Sequence, residues 1–78
     1  MKSSPSSVRN FAAELASFGA RVRDLRASRG MTQLDLAQAA GLDRKTVSRV
    51  ENARFSPTLA NVFALAAGLG VAVTDLVS

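Results

Sequence analysis

The stretch Ala37–Glu51, AQAAGLDRKTVSRVE, runs as a helical pattern, stops at Gly41 and restarts as a second helical pattern within three residues. A glycine just past a helix end adopts the left-handed conformation cheaply, and an aspartate just before a helix supplies its first free N–H groups with an acceptor. Two short helices forced into a tight turn must cross. The second then carries Arg44, Lys45 and Arg49, which have no place in a core this small.

The two helix starts share a construction. Thr32 is an N-cap with Asp35 three residues on, a capping box, and Met31 can staple onto Leu36. That predicts helix two over Gln33–Ala39. Asp43 is the next N-cap, with Leu42 and Val47 as its staple, opening helix three over Arg44–Asn52. Upstream, Val8, Phe11, Leu15, Phe18, Val22 and Leu25 recur at spacings of 3-4-3-4-3, a helical period sustained for about five turns. Gly19 interrupts this run and costs about 1 kcal/mol relative to alanine. Either one helix runs through it, or a separate N-terminal helix breaks near Ser17–Gly19. Downstream, Ser56-Pro57-Thr58 puts proline in a first turn between two hydroxyl caps, opening helix four through about Ala67. Leu59, Val62, Leu65, Ala66 and Leu69 form its inward stripe, which leaves Ala60, Phe63, Ala64 and Ala67 outside. A short fifth helix follows at Thr74–Val77. No alternation of period two marks a strand. The expectation is an all-α, five-helix bundle with an N-terminal helical extension, residues 1–7 being a disordered tail and 8–78 one domain.

On a wheel of 100° per residue centred on Val47, helix three turns Val50, Glu51 and Asp43 inward and Lys45, Arg49 and Asn52 outward. Ser48 sits at the edge, and Arg44 lies on the first turn. Small residues on helix two, Ala37 and Ala40 beside Leu36, permit the close crossing that braces helix three from behind. A short braced helix with a hydrogen-bonding outer face is the helix-turn-helix solution, in which the second helix enters the major groove and meets base edges.

The rest of the composition narrows the function class. The 78 residues hold no cysteine and no histidine, which removes disulfides, thiolate chemistry, the usual zinc sets and the commonest general base. No catalytic role, metal or cofactor is therefore expected. The longest apolar run, Val62–Val73, is twelve residues with two glycines, too short for a bilayer, which needs about 18. The start MKSSPSS lacks the apolar core of a secretion signal. These features suggest a cytoplasmic protein without a membrane partner. Ten basic against six acidic side chains give +4, with only Asp75 charged after residue 54. One face thus suits a polyanion and another suits packing. Arg21, Arg23 and Arg29 read as surface charges that add general phosphate attraction.

The stretch VRDLRASRGMTQLDLAQAAGLDRKTVSRVENARFSPTLANVFALAAGLGV resembles the phage-repressor-like (Xre/Cro type) DNA-binding domains, over about Phe18–Leu76. The resemblance rests on TQ-x-x-LA opening helix two, the glycine in the turn, the acid ending helix three and L-G-V after helix four. It implies a five-helix bundle, usually dimeric, that represses or regulates transcription. It further implies Gln33 as a phosphate or backbone-positioning contact, base-edge readout by Arg44, Lys45 and Arg49 with support from Thr46 and Ser48, and phosphate contacts from Asn52 and Arg54. One departure is Ala53, where the family often has glycine. Glu51 faces inward and needs a counter-charge, since an unpaired buried acid costs several kcal/mol. Arg26 is the partner both by elimination and by the resemblance.

Two functions are consistent with these residues. The first is a sequence-specific regulator, a repressor by type, that binds double-stranded DNA as a homodimer on an inverted repeat with half-sites about 10–10.5 base pairs apart. Val71, Val73 and Leu76 are the interface candidates, with Phe11 and Leu15 in support. The second is a protein-interaction module, such as the antitoxin of a toxin-antitoxin pair or a restriction-modification controller, whose partner covers the outer face of helix four.

Overall fold

A computed structural model describes residues 11–77, all of whose regular elements are helices: α1 Ala12–Ser28, α2 Gln33–Ala40, α3 Arg44–Glu51, α4 Leu59–Leu69 and α5 Val73–Val77. Val8 and the tail at 1–7 lie outside the described residues. The left-handed backbone at Phe11 (φ 53) marks where α1 opens.

α1 runs unbroken through Gly19, and the reason is contact. A Cβ at Gly19 would collide with the Val50 carbonyl oxygen and lie 2.9 Å from that of Glu51. The glycine is what lets α1 press against the end of α3. Gly68 plays a looser version of this part inside α4, where a Cβ would stand 3.0 Å from Ala40 and 3.1 Å from Leu36 Cδ1.

Around these crossings one core forms from Val22, Leu36, Ala37, Val47, Val50, Leu65, Ala66, Leu69 and Leu76, with Phe18, Leu25, Met31, Leu42, Phe55, Val71 and Val73 packed on its edges. Both staple residues, Met31 and Leu42, thus pack against the core that holds Leu36 and Val47.

Four helix ends close with the same pair of backbone bonds, in which N–H groups just beyond the helix reach back to its last turn. After α2, Leu42 donates to the Ala37 carbonyl at 2.9 Å and Gly41 to Gln38 at 3.4 Å; after α3, Arg54 donates to Arg49 at 2.8 Å and Ala53 to Val50 at 3.1 Å. The turn residue must be left-handed. Gly30, Gly41 and Gly70 meet this need with φ of 68–72°, but after α3 the position is taken by Ala53, at φ 54.

Several local expectations are corrected. Of the two hydroxyl candidates Thr58 is the N-cap of α4, paired in a capping box with Asn61, so Pro57 precedes the helix instead of standing in its first turn. Asn52 follows the last residue of α3. Leu59 is 67% exposed and so does not belong to the buried stripe of α4. Leu76 is buried in the chain's own core, so it cannot be an interface residue; Val77 is the exposed apolar side chain of α5.

Candidate nucleic-acid interface

The site is built around one carboxylate. Glu51 is the buried charged residue of the core, and three helices converge on it. Arg26, on the last turn of α1, donates from Nε to Glu51 Oε2 at 2.6 Å and from Nη2 to Oε1 at 3.1 Å, the two-pronged geometry that guanidinium and carboxylate share. Its third nitrogen, Nη1, donates to the Met31 carbonyl at 2.7 Å, tying down the loop between α1 and α2. Gln33, the first residue of α2, donates from Nε2 to Glu51 Oε1 at 3.0 Å. The hydrogen bond to Glu51 holds the Arg26 guanidinium above its ordinary pKa, so the cation is permanent. No buried side-chain polar atom among the described residues lacks a partner. The network fixes where α3 sits relative to α1 and to the start of α2.

On this support α3 presents its outer face. Arg44, Lys45 and Arg49 are exposed, as are Asn52 and Arg54 just beyond the helix, while Thr46 and Ser48 are half-buried. Asp43 caps the first turn: its Oδ1 accepts from the Thr46 amide at 2.9 Å and from the Thr46 hydroxyl at 2.6 Å. Those hydrogen bonds, led by the hydroxyl, lower the Asp43 pKa, with Lys45 and Arg49 adding their charge. Although the wheel turns Asp43 inward, capping leaves it exposed at the helix mouth. Asn52 folds back, its Nδ2 donating to the Ser48 carbonyl at 2.8 Å.

The expected contact residues therefore fall into two groups. Arg44, Lys45, Arg49 and Arg54 are exposed cations on α3 or just beyond it. Gln33, Thr46, Ser48 and Asn52 have side chains engaged in the scaffold. Gln33 is the instructive case. The resemblance implies a DNA contact for it, and the structure adds a second part, as the third member of the Arg26–Glu51 network. The signal was available in principle, since a buried carboxylate has two oxygens and Arg26 alone does not exhaust their acceptor capacity.

Arg21 is also more than a surface charge: its Nη1 donates to the Asp75 carbonyl at 2.9 Å, linking α1 to α5. Among the described residues no helix is long and apolar enough to cross a membrane.

Residues 22–76 match the helix-turn-helix family. The chain is 36% identical, over 76% of its length, to an immunity repressor of Bacillus phage phi105, and 44% identical, over 70%, to a Neisseria meningitidis protein described as a hypothetical transcription factor. It spans 41% and 52% of those two relatives. Among solved structures, the restriction-modification controller protein C.AhdI from Aeromonas hydrophila superposes with a TM-score of 0.80 at 39% identity, covering 82% of this chain and 97% of the controller. The buried clamp behind α3, its exposed cationic face and these likenesses agree: the chain belongs to the phage-repressor-like, Xre/Cro-type family of helix-turn-helix DNA-binding domains.

Proposed function

We propose that this protein is a non-enzymatic regulator of transcription that acts in the cytoplasm, binding an inverted-repeat operator as a homodimer and repressing from it. The observation that carries the reading is the outer face of α3, where Arg44, Lys45 and Arg49 stand exposed on a helix that Glu51 locks from behind. A helix so held can enter the major groove without reordering, and arginine is the side chain best shaped for guanine O6 and N7. Arg54, at the end of the helix, suits a phosphate, as does Asn52. Gln33 serves both roles in this reading: its amide positions α3, and its place at the α2 N-terminus puts it beside the backbone. Thr46 and Ser48 support the readout from the edge of the face.

Dimerisation rests on the uncovered apolar side chains, Phe63 at 56% and Val77 at 61% exposure among them, and on the two-fold symmetry of inverted-repeat sites. Half-site centres about 34–36 Å apart follow. Selection of bound sequences from a random duplex pool tests this directly, and the expected result is an inverted repeat with that spacing. Recovery of no preferred sequence at any salt concentration would reject it.

The outer face of α4 favours a second reading, an interaction module in which Leu59 and Phe63 meet a protein partner. The likeness to a restriction-modification controller protein is compatible with both readings. A titration against random duplex at two salt concentrations separates them: a DNA binder loses affinity steeply with salt, and a pure adaptor shows none to lose.

A further inference from the structure

The N-caps of α2 and α4 are hydroxyls, Thr32 and Thr58, whereas that of α3 is a carboxylate, Asp43. Capping alone does not ask for the charge, because serine, asparagine and aspartate stabilise a helix start about equally. In the proposed function the charge even opposes binding, since Asp43 stands exposed at the mouth of α3 next to cations that are turned toward phosphates.

The directions of its hydrogen bonds give the carboxylate a second use. Asp43 Oδ1 accepts from the Thr46 amide at 2.9 Å and from the Thr46 hydroxyl at 2.6 Å, while Oδ2 accepts nothing among the described residues. Thr46 thus donates its only hydroxyl proton, and its oxygen can only accept. An ionised carboxylate is likewise acceptor only, and Asp43 stays ionised because the Thr46 hydroxyl, ahead of the amide, lowers its pKa. Asp43 Oδ2 and Thr46 Oγ1 are therefore two acceptors without a donor between them. They stand at the N-terminal end of the helix, the end that meets base edges in this motif. Lys45 and Arg49 are near enough for their charge to act on Asp43.

Base edges in the major groove differ in how they meet such a pair. Guanine presents O6 and N7 and thymine O4, all acceptors; adenine presents its N6 amino group beside the acceptor N7; cytosine presents its N4 amino group with no acceptor of its own next to it. Cytosine is the edge that fits. We propose that Asp43, oriented by Thr46, reads the amino group of a cytosine in each half-site, with a cation of α3 on O6 and N7 of the paired guanine. This rests on the DNA-binding reading above and names a base pair that it selects.

Asp43→Asn separates base reading from plain capping. The two Thr46 donors keep an oxygen at the Oδ1 position, so the amide nitrogen takes the place of Oδ2; the cap survives while an acceptor becomes a donor. Selection from a random duplex pool should return a half-site with one cytosine that the variant exchanges for guanine or thymine, every other position staying the same. N4-methylcytosine at that position still pairs with guanine but lacks the hydrogen that points into the major groove. It should weaken the wild type about tenfold and leave Asp43→Asn unaffected. Melting curves control for folding, and if the variant does not fold, the methylated duplex decides with the wild type alone. Asp43 is a cap only, and the DNA-binding reading stands, if Asp43→Asn selects the wild-type base at every position or if the wild type tolerates the methylated base. A preference altered at every position at once means a displaced α3 and overturns the inference too. A wild type that selects no sequence overturns both.

Discussion

α3 and α4 lie on the same core and each begins with a side-chain N-cap, yet they are held in opposite ways. α3 buries Val47 and Val50 but is positioned by a carboxylate, and it turns three cations outward, Arg44, Lys45 and Arg49, with Arg54 just beyond its end. α4 buries Leu65, Ala66 and Leu69, carries no charge at all, and turns Leu59 and Phe63 outward. Hydrophobic contact is non-directional, so it seats a helix without fixing its rotation closely. A bidentate ion pair with a third donor is directional. In the proposed function, the helix whose outer face meets base edges is the one fastened by geometry as well as by burial.

The comparison breaks most severely at Glu51. Glu51→Ala should cost about 3–5 kcal/mol in urea unfolding, because it leaves Arg26 partly buried without its counter-charge. No residue of α4 has an equivalent whose loss strands a charge. A cost below about 1 kcal/mol would mean that packing alone places α3.

Gly19→Ala comes next. The added methyl meets backbone carbonyls of Val50 and Glu51 that cannot rotate away, so a loss of about 1–3 kcal/mol is expected. Gly68→Ala, which meets the looser contacts behind α4, should cost less. Equal melting temperatures for the two variants would show that the seats are equally tight.

On the outer faces, Arg49→Ala should lose about 1–3 kcal/mol of binding to a selected site and relax preference at particular base pairs. Arg54→Ala should weaken all sequences alike and lower the salt slope by about one per subunit. Titrations of matched and mismatched duplexes at several salt concentrations distinguish the two effects.

A gain is expected at Ala53. Left-handed backbone costs an alanine about 1–2 kcal/mol, against about 0.5–1 kcal/mol for the extra freedom a glycine loses on folding. Ala53→Gly should therefore stabilise the fold by about 0.5–1 kcal/mol in urea unfolding. The same exchange at the end of α4 is already made, by Gly70.

The smallest effect separates the caps by pH. Asp35 and Asp43 cap α2 and α3, and their hydrogen bonds to Thr32 and Thr46 hold both carboxyls below the ordinary value. A lowered folded pKa gives a contribution that is complete above the unfolded value near about 4 and is lost as pH falls through the folded one. The cap of α4 uses Thr58 and Asn61, which do not titrate. Amide exchange should therefore show the starts of α2 and α3 fraying below about pH 4 before that of α4, and Asp43→Asn should remove the pH dependence at α3. Simultaneous fraying of all three would locate the acid sensitivity elsewhere.

Helix existence, order and caps were legible from local chemistry: Thr32, Asp35, Asp43 and Gly41 act within one turn of where they stand, and their partners are three or four residues away. The outward placement of Lys45 and Arg49 followed from the period of the helix alone. The match of Arg26 to Glu51 was also within reach, since a buried acid demands a base and few were available. What no local pattern could decide was which surfaces approach one another. Gly19 reads as a weak point in a helix until α3 arrives against it, and Gln33 as a free polar residue until Glu51 comes within 3.0 Å. Leu59 and Leu76 exchange their expected places, one exposed and one buried. Periodicity specifies a side chain's direction around its own axis; burial depends on what the rest of the chain brings to that side, and only tertiary packing sets it.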